Sequence, residues 1–121
     1  MILADSSVWI DHLKAPEPEL SDLLRIDALL IHRFVIAEIA LGSIRERERM
    51  VRALEELPHI MEASHSNVMT LIETGPLFSR GIGYVDAHLL AALKITPQHK
   101  LWTRDKRLAQ TAALIGVELY E

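Results

Sequence analysis

Short apolar runs alternate with segments of helical periodicity along the 121 residues of this chain. Short apolar runs are typical of buried strands, and the segments between them repeat apolar residues every three or four positions. The alternation favours an α/β domain with a mostly parallel sheet, because parallel strands are joined by helical crossovers. The predicted strands lie at residues 2–4, 28–32, 59–63, 100–103 and 117–120. The predicted helices lie at about residues 7–14, 20–26, 35–42, 43–57, 67–78, 84–95 and 104–116.

The composition fits one domain with an aliphatic core. The chain has an ordinary single-domain length and half of its residues are apolar, so we expect residues 1–121 to share one core. It contains no cysteine, which excludes disulfides, thiolate nucleophiles and zinc–thiolate sites. Neither a membrane-spanning apolar run nor a signal-peptide pattern is present. We therefore expect a cytoplasmic protein without membrane contact.

Two aspartates directly follow predicted strands. Asp5 ends the first strand, and Asp105 comes just after the fourth. In open α/β sheets, binding sites form outside the carboxyl ends of the strands, so both residues are candidates for a functional site. Each can instead be a helix N-cap, a position that favours aspartate. Ser6 or Ser7 can take over the capping of the first helix, which would leave the Asp5 carboxylate free.

Two further acids stand inside apolar helical segments. Glu38 lies within VIAEIALG and Asp86 within YVDAHLLAALKI, with no lysine or arginine close to either. An ionised carboxylate in such surroundings is costly unless it is paired, hydrogen-bonded or bound to a metal. Convergence of the four acids on a hard divalent cation explains them economically, and oxygen ligands favour Mg²⁺ or Mn²⁺. As purely structural residues, Asp86 can cap its helix and Glu38 can be the exposed residue of a short one.

Four segments occur in a particular order and spacing along the chain. They are ADSSVWID at the start, VIAEIALG near residue 40, GIGYVDAHLLAA after residue 80 and LWTRDKRL near the end. The ordered set resembles the PIN-domain family, most closely its toxin branch, the ribonucleases of VapBC-type toxin–antitoxin pairs. The resemblance implies a three-layer α/β/α sandwich with about five mostly parallel strands. It also implies an endoribonuclease that depends on Mg²⁺ or Mn²⁺.

The resemblance places the catalytic and metal-binding acids of the family on particular residues of this chain. These acids fall on Asp5, Glu38, Asp86 and Asp105. It further implies supporting hydroxyls, supplied by Ser6 or Ser7 beside the first acid and by Thr103 two residues before the last. His88 departs from the usual pattern, in which a neutral residue follows the third acid by two. Positions two apart on a helix do not share a face, so we interpret His88 as a packing or interface residue.

The four proposed acids account for the whole formal charge of −4. The rest of the surface is therefore electrically balanced and need not repel RNA. Arg104 and Lys106 flank Asp105 and are the candidates for contact with RNA phosphates. The arginines of residues 45–52 alternate with glutamates, which is typical of a solvated helix face.

The expected partners follow from the resemblance. They are an RNA substrate, a cognate antitoxin whose inhibitory segment covers the acidic groove, and a second copy of the chain in a homodimer. Trp9 could serve the dimer contact, although we favour a place in the core for it. The alternative function is a catalytically inactive PIN-like module that binds RNA or protein, and the complete set of acids argues against it.

Overall fold

The structure is a computed structural model that describes residues 1–121, with three strands and seven helices. The elements, in chain order, are β1 (Ile2–Ala4), α1 (Ser6–Lys14), α2 (Pro18–Arg25), β2 (Leu29–Leu30), α3 (Arg33–Ala40), α4 (Arg47–Glu55), α5 (His65–Thr74), α6 (Tyr84–Ile95), β3 (Lys100–Trp102) and α7 (Lys106–Leu114). Helices separate all three strands along the chain, which confirms the predicted α/β class with a parallel sheet.

The sheet has the order β2-β1-β3, and both pairings are parallel. Leu3 of the central strand pairs with Leu30 on one side and with Leu101 on the other. All three residues of β1 are buried. Successive side chains of a strand point to opposite faces, so both faces of the sheet are covered. The parallel strands bring their carboxyl ends to one edge, where Asp5 directly follows β1.

The prediction of about five strands is wrong, because two of them are reduced to single β-bridges. His59 pairs with Ile31 at one side of the sheet, and Leu119 pairs with Leu101 at the other. Each bridge rests on two backbone hydrogen bonds to one residue of the sheet. The side chain of Met61 is 64% exposed, so the chain after His59 lacks a continuous apolar face that would hold it against β2.

All seven predicted helices are present, and all but α6 have altered ends. The helix predicted over residues 43–57 is shorter, because Glu46 adopts a left-handed backbone conformation (φ 49°) and α4 begins after it. The helix predicted to begin at Asn67 begins two residues earlier, where Ser64 and Asn67 form a capping box. The bounds of α6 agree with the prediction at both ends. No helix has the length and apolar character needed to cross a membrane.

A single hydrophobic core of 28 buried residues runs from Ile2 to Val117. Trp9 belongs to it and is 3% exposed, which agrees with its interpretation as a core residue. His88 is also buried, and its Nε2 lies 2.8 Å from the hydroxyl of Tyr84. It packs on Phe34 with ring centroids 4.7 Å apart, so it is a packing residue, as expected.

His32 is a fully buried histidine at the start of α3. Its Nδ1 accepts a hydrogen bond from the backbone N–H of Phe34, and its Nε2 is buried without a partner. The acceptor role of Nδ1 requires the neutral ring. Burial is the main reason that the pKa of His32 falls from 6.5 to about 4.

We expect the buried ring of His32 to make the fold sensitive to acid. Between pH 6.5 and 4, the unfolded chain binds a proton at this residue that the folded protein excludes, so stability falls as the pH is lowered through this range. The expected contribution is about 2 kcal/mol. Denaturant unfolding at pH 7 and pH 4.5 measures it. His32→Asn keeps an N-cap acceptor without a titrating ring, and it should lose less stability on acidification than wild type. Equal losses in the two proteins would contradict the assignment.

Candidate active site

Asp5 lies at the carboxyl end of β1 and is the N-cap of α1. Its side chain is 4% exposed, and its Oδ1 accepts from the backbone N–H of Val8 at 3.2 Å. The hydroxyl of Ser7 donates to the same oxygen at 2.5 Å, and the hydroxyl of Thr103 donates to Oδ2. The expectation that a serine caps α1 and leaves Asp5 free is therefore wrong. Asp5 caps the helix itself, and two hydroxyls hold its carboxylate.

Thr103 and Ser7 connect Asp5 to the segment between β3 and α7. The backbone N–H of Asp105 donates to Oγ1 of Thr103, and the backbone N–H of Arg104 donates to Oγ of Ser7, each at 3.0 Å. Each hydroxyl thus donates to Asp5 and accepts from the backbone of the segment that carries Asp105. The positions of Asp5 and Asp105 are therefore fixed relative to each other by hydrogen bonds.

Asp105 and Asp86 each combine their position with a structural role. Asp105 is the N-cap of α7, and its Oδ1 accepts from the backbone N–H groups of Arg107 and Leu108. Asp86 is in the first turn of α6, and its Oδ2 accepts from the backbone N–H of Gly83 at 3.1 Å. In both residues the second carboxylate oxygen has no hydrogen-bond partner within the protein and remains available to a ligand.

Burial and neighbouring carboxylates raise two pKa values at this edge of the sheet. The pKa of Glu38, on α3, is raised mainly by burial and then by the charges of Asp86 and Asp5, while Ser6 lowers it through a hydrogen bond. The pKa of Asp86 is raised mainly by burial and further by Asp105 and Asp5. The four acids of four separate segments are thus close enough to repel one another.

The four acids do not form a preassembled ligand cage. No group of three or more histidine, aspartate or glutamate side chains in the structure has the geometry to hold a metal ion. Mutual repulsion and the hydrogen bonds that each aspartate makes explain why the side chains stay apart. The donor set itself fits a hard divalent cation, because it consists of carboxylate oxygens whose repulsion such a cation removes.

Arg104 is not a free phosphate ligand. Its guanidinium group binds Asp11 and Glu17, with 2.5 Å from Nη1 to Oδ2 of Asp11. The same group lies 5.9 Å from the ring centroid of Trp102, and its two carboxylate partners raise its pKa. A phosphate contact would have to displace these partners. Lys106 is exposed and forms no ion pair in the structure.

The roles of Asp11 and Glu17 were not predicted from the sequence. They lie 93 and 87 positions from Arg104 along the chain, so no local pattern indicates the pairing. The only signal was the placement of a basic residue directly beside a strand-end acid, and that signal also fits phosphate binding. The arginines of α4 agree better with expectation, since Arg49 is 79% exposed and pairs with Glu46 across one turn.

A parallel sheet with four acids near its carboxyl edge is an arrangement shared by a known class of nucleases, and the chain belongs to the PIN domain family, whose model matches residues 2–114. Two similar proteins are named Ribonuclease VapC32, from the CDC 1551 / Oshkosh and H37Rv strains of Mycobacterium tuberculosis. Each is 43% identical to this chain over 121 residues, which cover 100% of this chain and 98% of the relative. The family predicted from the four ordered segments is confirmed.

Proposed function

We propose that this protein is a metal-dependent endoribonuclease and the toxin of a type II toxin–antitoxin pair. The observation that carries the proposal is the full-length likeness, at 43% identity, to proteins named as ribonucleases. The acids near the carboxyl edge of the sheet agree with it. We also infer that the 121 residues form one nuclease domain, in which helices on both sides of the parallel sheet make three layers.

The proposed catalytic residues and metal ligands are the four acids already described. They are Asp5, Glu38, Asp86 and Asp105. The proposed cation is Mg²⁺ or Mn²⁺, since every ligand is a carboxylate oxygen. When bound, such a cation polarises a phosphodiester and favours attack by water. The raised pKa values of Glu38 and Asp86 support this assignment, because a bound cation would offset both the burial of their charges and the repulsion from neighbouring carboxylates.

Ser7 and Thr103 are the proposed supporting residues. Their hydroxyls donate to the two oxygens of Asp5, which fixes the plane of its carboxyl group. Because both hydroxyls also accept from the backbone before α7, they keep Asp5 in register with Asp105. Lys106 remains the proposed phosphate contact of the pair predicted from the sequence. Arg104 instead braces the segment that carries Asp105, through Asp11 and Glu17.

The proposed partners are RNA, a cognate antitoxin and a second copy of the chain. An endoribonuclease of this kind would damage the cell that makes it, so an antitoxin must hold it inactive. We propose that its inhibitory segment covers the acidic edge of the sheet, where a basic side chain would find four carboxylates. We place this activity in the cytoplasm, where RNA is available.

Incubation of single-stranded RNA with the purified, antitoxin-free protein tests the proposal. We expect endonucleolytic cleavage with Mn²⁺ or Mg²⁺ and none with EDTA. The loss of cleavage in EDTA excludes contaminating nucleases that need no metal. Cleavage should return when the metal is added back, which shows that EDTA did not inactivate the protein irreversibly. A protein that is folded by circular dichroism and cleaves no RNA with either cation would favour the inactive RNA- or protein-binding module.

A further inference from the structure

A pocket of about 340 Å³ between α7 and the loop before α6 has a basic lining. Its lining residues are Arg80, Arg107, Gln110, Thr111 and Leu114, and none of them is acidic. No carboxylate lies within ion-pair distance of either arginine, whereas Arg25, Arg33, Arg49 and Arg104 are all paired. The pocket therefore presents two uncompensated positive charges.

The pocket differs in this respect from the other arginine-rich surface of the protein. A larger pocket, of about 740 Å³, lies along α4 and is lined by Arg47, Arg49 and Arg52. Glu46, Glu48 and Glu56 line it as well, so its charges balance. Of these two pockets, the one on α7 combines two arginines with neutral partners and therefore fits a polyanion.

The side chain of Arg107 is held against the loop before α6. A Cβ atom at Gly81 would lie 2.7 Å from its Cδ and 2.8 Å from its Nη1. Gly81 also has a φ of 76°, a conformation that other residues rarely adopt. The loop backbone thus passes directly over the arginine stem, which restricts the guanidinium group before any ligand binds. Arg80, one residue earlier, is held by a hydrogen bond from Nε to the carbonyl oxygen of Pro76 at 2.8 Å.

The elements that form this pocket also carry two of the four acids. Arg107 follows Asp105 by two residues, and the loop of Arg80 and Gly81 leads into α6, where Asp86 accepts from Gly83. We propose that Arg80 and Arg107 form a subsite for a phosphodiester of single-stranded RNA, beside the bond that is cleaved. The inference rests on the proposed ribonuclease activity and names a binding site for its substrate. A planar guanidinium group donates two parallel hydrogen bonds to a phosphate, and Gln110 adds a neutral donor at the same pocket.

Steady-state cleavage kinetics at several salt concentrations test the subsite. We expect Arg107→Ala and Arg80→Ala each to raise KM about tenfold, with kcat changed less than about twofold. Each should also lower the slope of log KM against log salt by about 0.7, the value for one phosphate contact on a single strand. Arg107→Lys should retain the slope and lose part of the affinity, because lysine keeps the charge without the planar pair of donors. Arg52→Ala, in the charge-balanced pocket, is the matched control and should leave KM and the slope unchanged.

Two additional measurements keep the outcomes distinct. Gly81→Ala forces Arg107 out of its place and should raise KM in the same direction as Arg107→Ala. Fluorescence anisotropy of a labelled 12-nucleotide RNA in EDTA reports binding without cleavage. Active wild type with unchanged KM in both arginine variants would overturn the subsite, whereas a wild type that cleaves no RNA would overturn the proposed function. If Arg80→Ala and Arg107→Ala bind poly-L-glutamate more weakly than wild type while their KM for RNA is unchanged, the RNA subsite is also overturned. The pocket would then be assigned to an acidic protein.

Discussion

Asp5→Asn is expected to lower the rate of RNA cleavage about 100- to 1,000-fold while the fold persists. Asparagine is as good an N-cap as aspartate, so the bond to the N–H of Val8 can be kept. Its amide nitrogen, in place of Oδ2, cannot accept from the hydroxyl of Thr103, and the side chain carries no charge to offset a divalent cation. Asparagine at position 5 therefore keeps the N-cap role and loses the negative charge proposed to bind the cation.

Initial rates with Mn²⁺, together with circular dichroism and thermal unfolding, measure this effect. The expected loss of stability is about 1 kcal/mol, for one rearranged hydrogen bond. Asp22→Asn is the matched control, because Asp22 is exposed on α2 and pairs only with Arg25. Its activity should equal that of wild type. A cleavage rate within threefold of wild type for Asp5→Asn would remove Asp5 from the catalytic set.

The second large effect concerns metal and stability together. Binding of Mn²⁺ to the folded protein alone, at 100 times its Kd, stabilises by about 2.7 kcal/mol, which raises Tm by about 10 °C for a chain of this size. Glu38→Gln should lose most of that shift and the cleavage activity with it. In the metal-free protein the same substitution should be stabilising. The expected gain is only roughly 0.5 kcal/mol, because water partly screens the charge of a half-buried carboxylate.

The stabilisation expected for Glu38→Gln in the metal-free protein follows from the raised pKa of Glu38. A carboxyl group that is harder to ionise in the folded state lowers the free energy of unfolding at every pH above its folded pKa. Removal of the charge relieves this cost, and acidification through the folded pKa relieves it in wild type. Differential scanning fluorimetry with EDTA and with Mn²⁺ compares the two proteins, and Glu73→Gln on the exposed side of α5 is the control. A metal-induced shift in Glu38→Gln equal to that of wild type would exclude Glu38 as a ligand.

Local pattern was sufficient for the central elements of this fold. The buried run of β1 and the full extent of α6 were predicted correctly, because strand and helix periodicity are strong there. The predictions of the two outer strands failed. Their apolar residues are typical of strands, but pairing depends on which of their side chains are buried at the edge of the sheet. Segments such as the one after His59 then contribute a single bridge.

The candidate site likewise has features that the sequence predicted and features that it could not predict. Strand-end position and apolar surroundings indicated the four acids, and the ordered resemblance indicated the family that is now confirmed. The N-cap role of Asp5 was one alternative predicted from the sequence, and the resemblance implied hydroxyls at Ser7 and Thr103. Sequence could not show that both hydroxyls donate to Asp5, since Thr103 lies 98 positions away. Nor could it show that Arg104 is paired, or that Arg80 and Arg107 share a pocket. These features depend on contacts between distant segments.

The dependence of Asp5 on Thr103 has a consequence for synthesis on the ribosome. Asp5 is made 98 residues before Thr103, its second hydroxyl partner, and 100 residues before Asp105. A nascent chain that ends before β3 lacks both residues, and its central strand has only one neighbour. The four acids can therefore assemble only after β3 and the segment that carries Thr103 and Asp105 have been made.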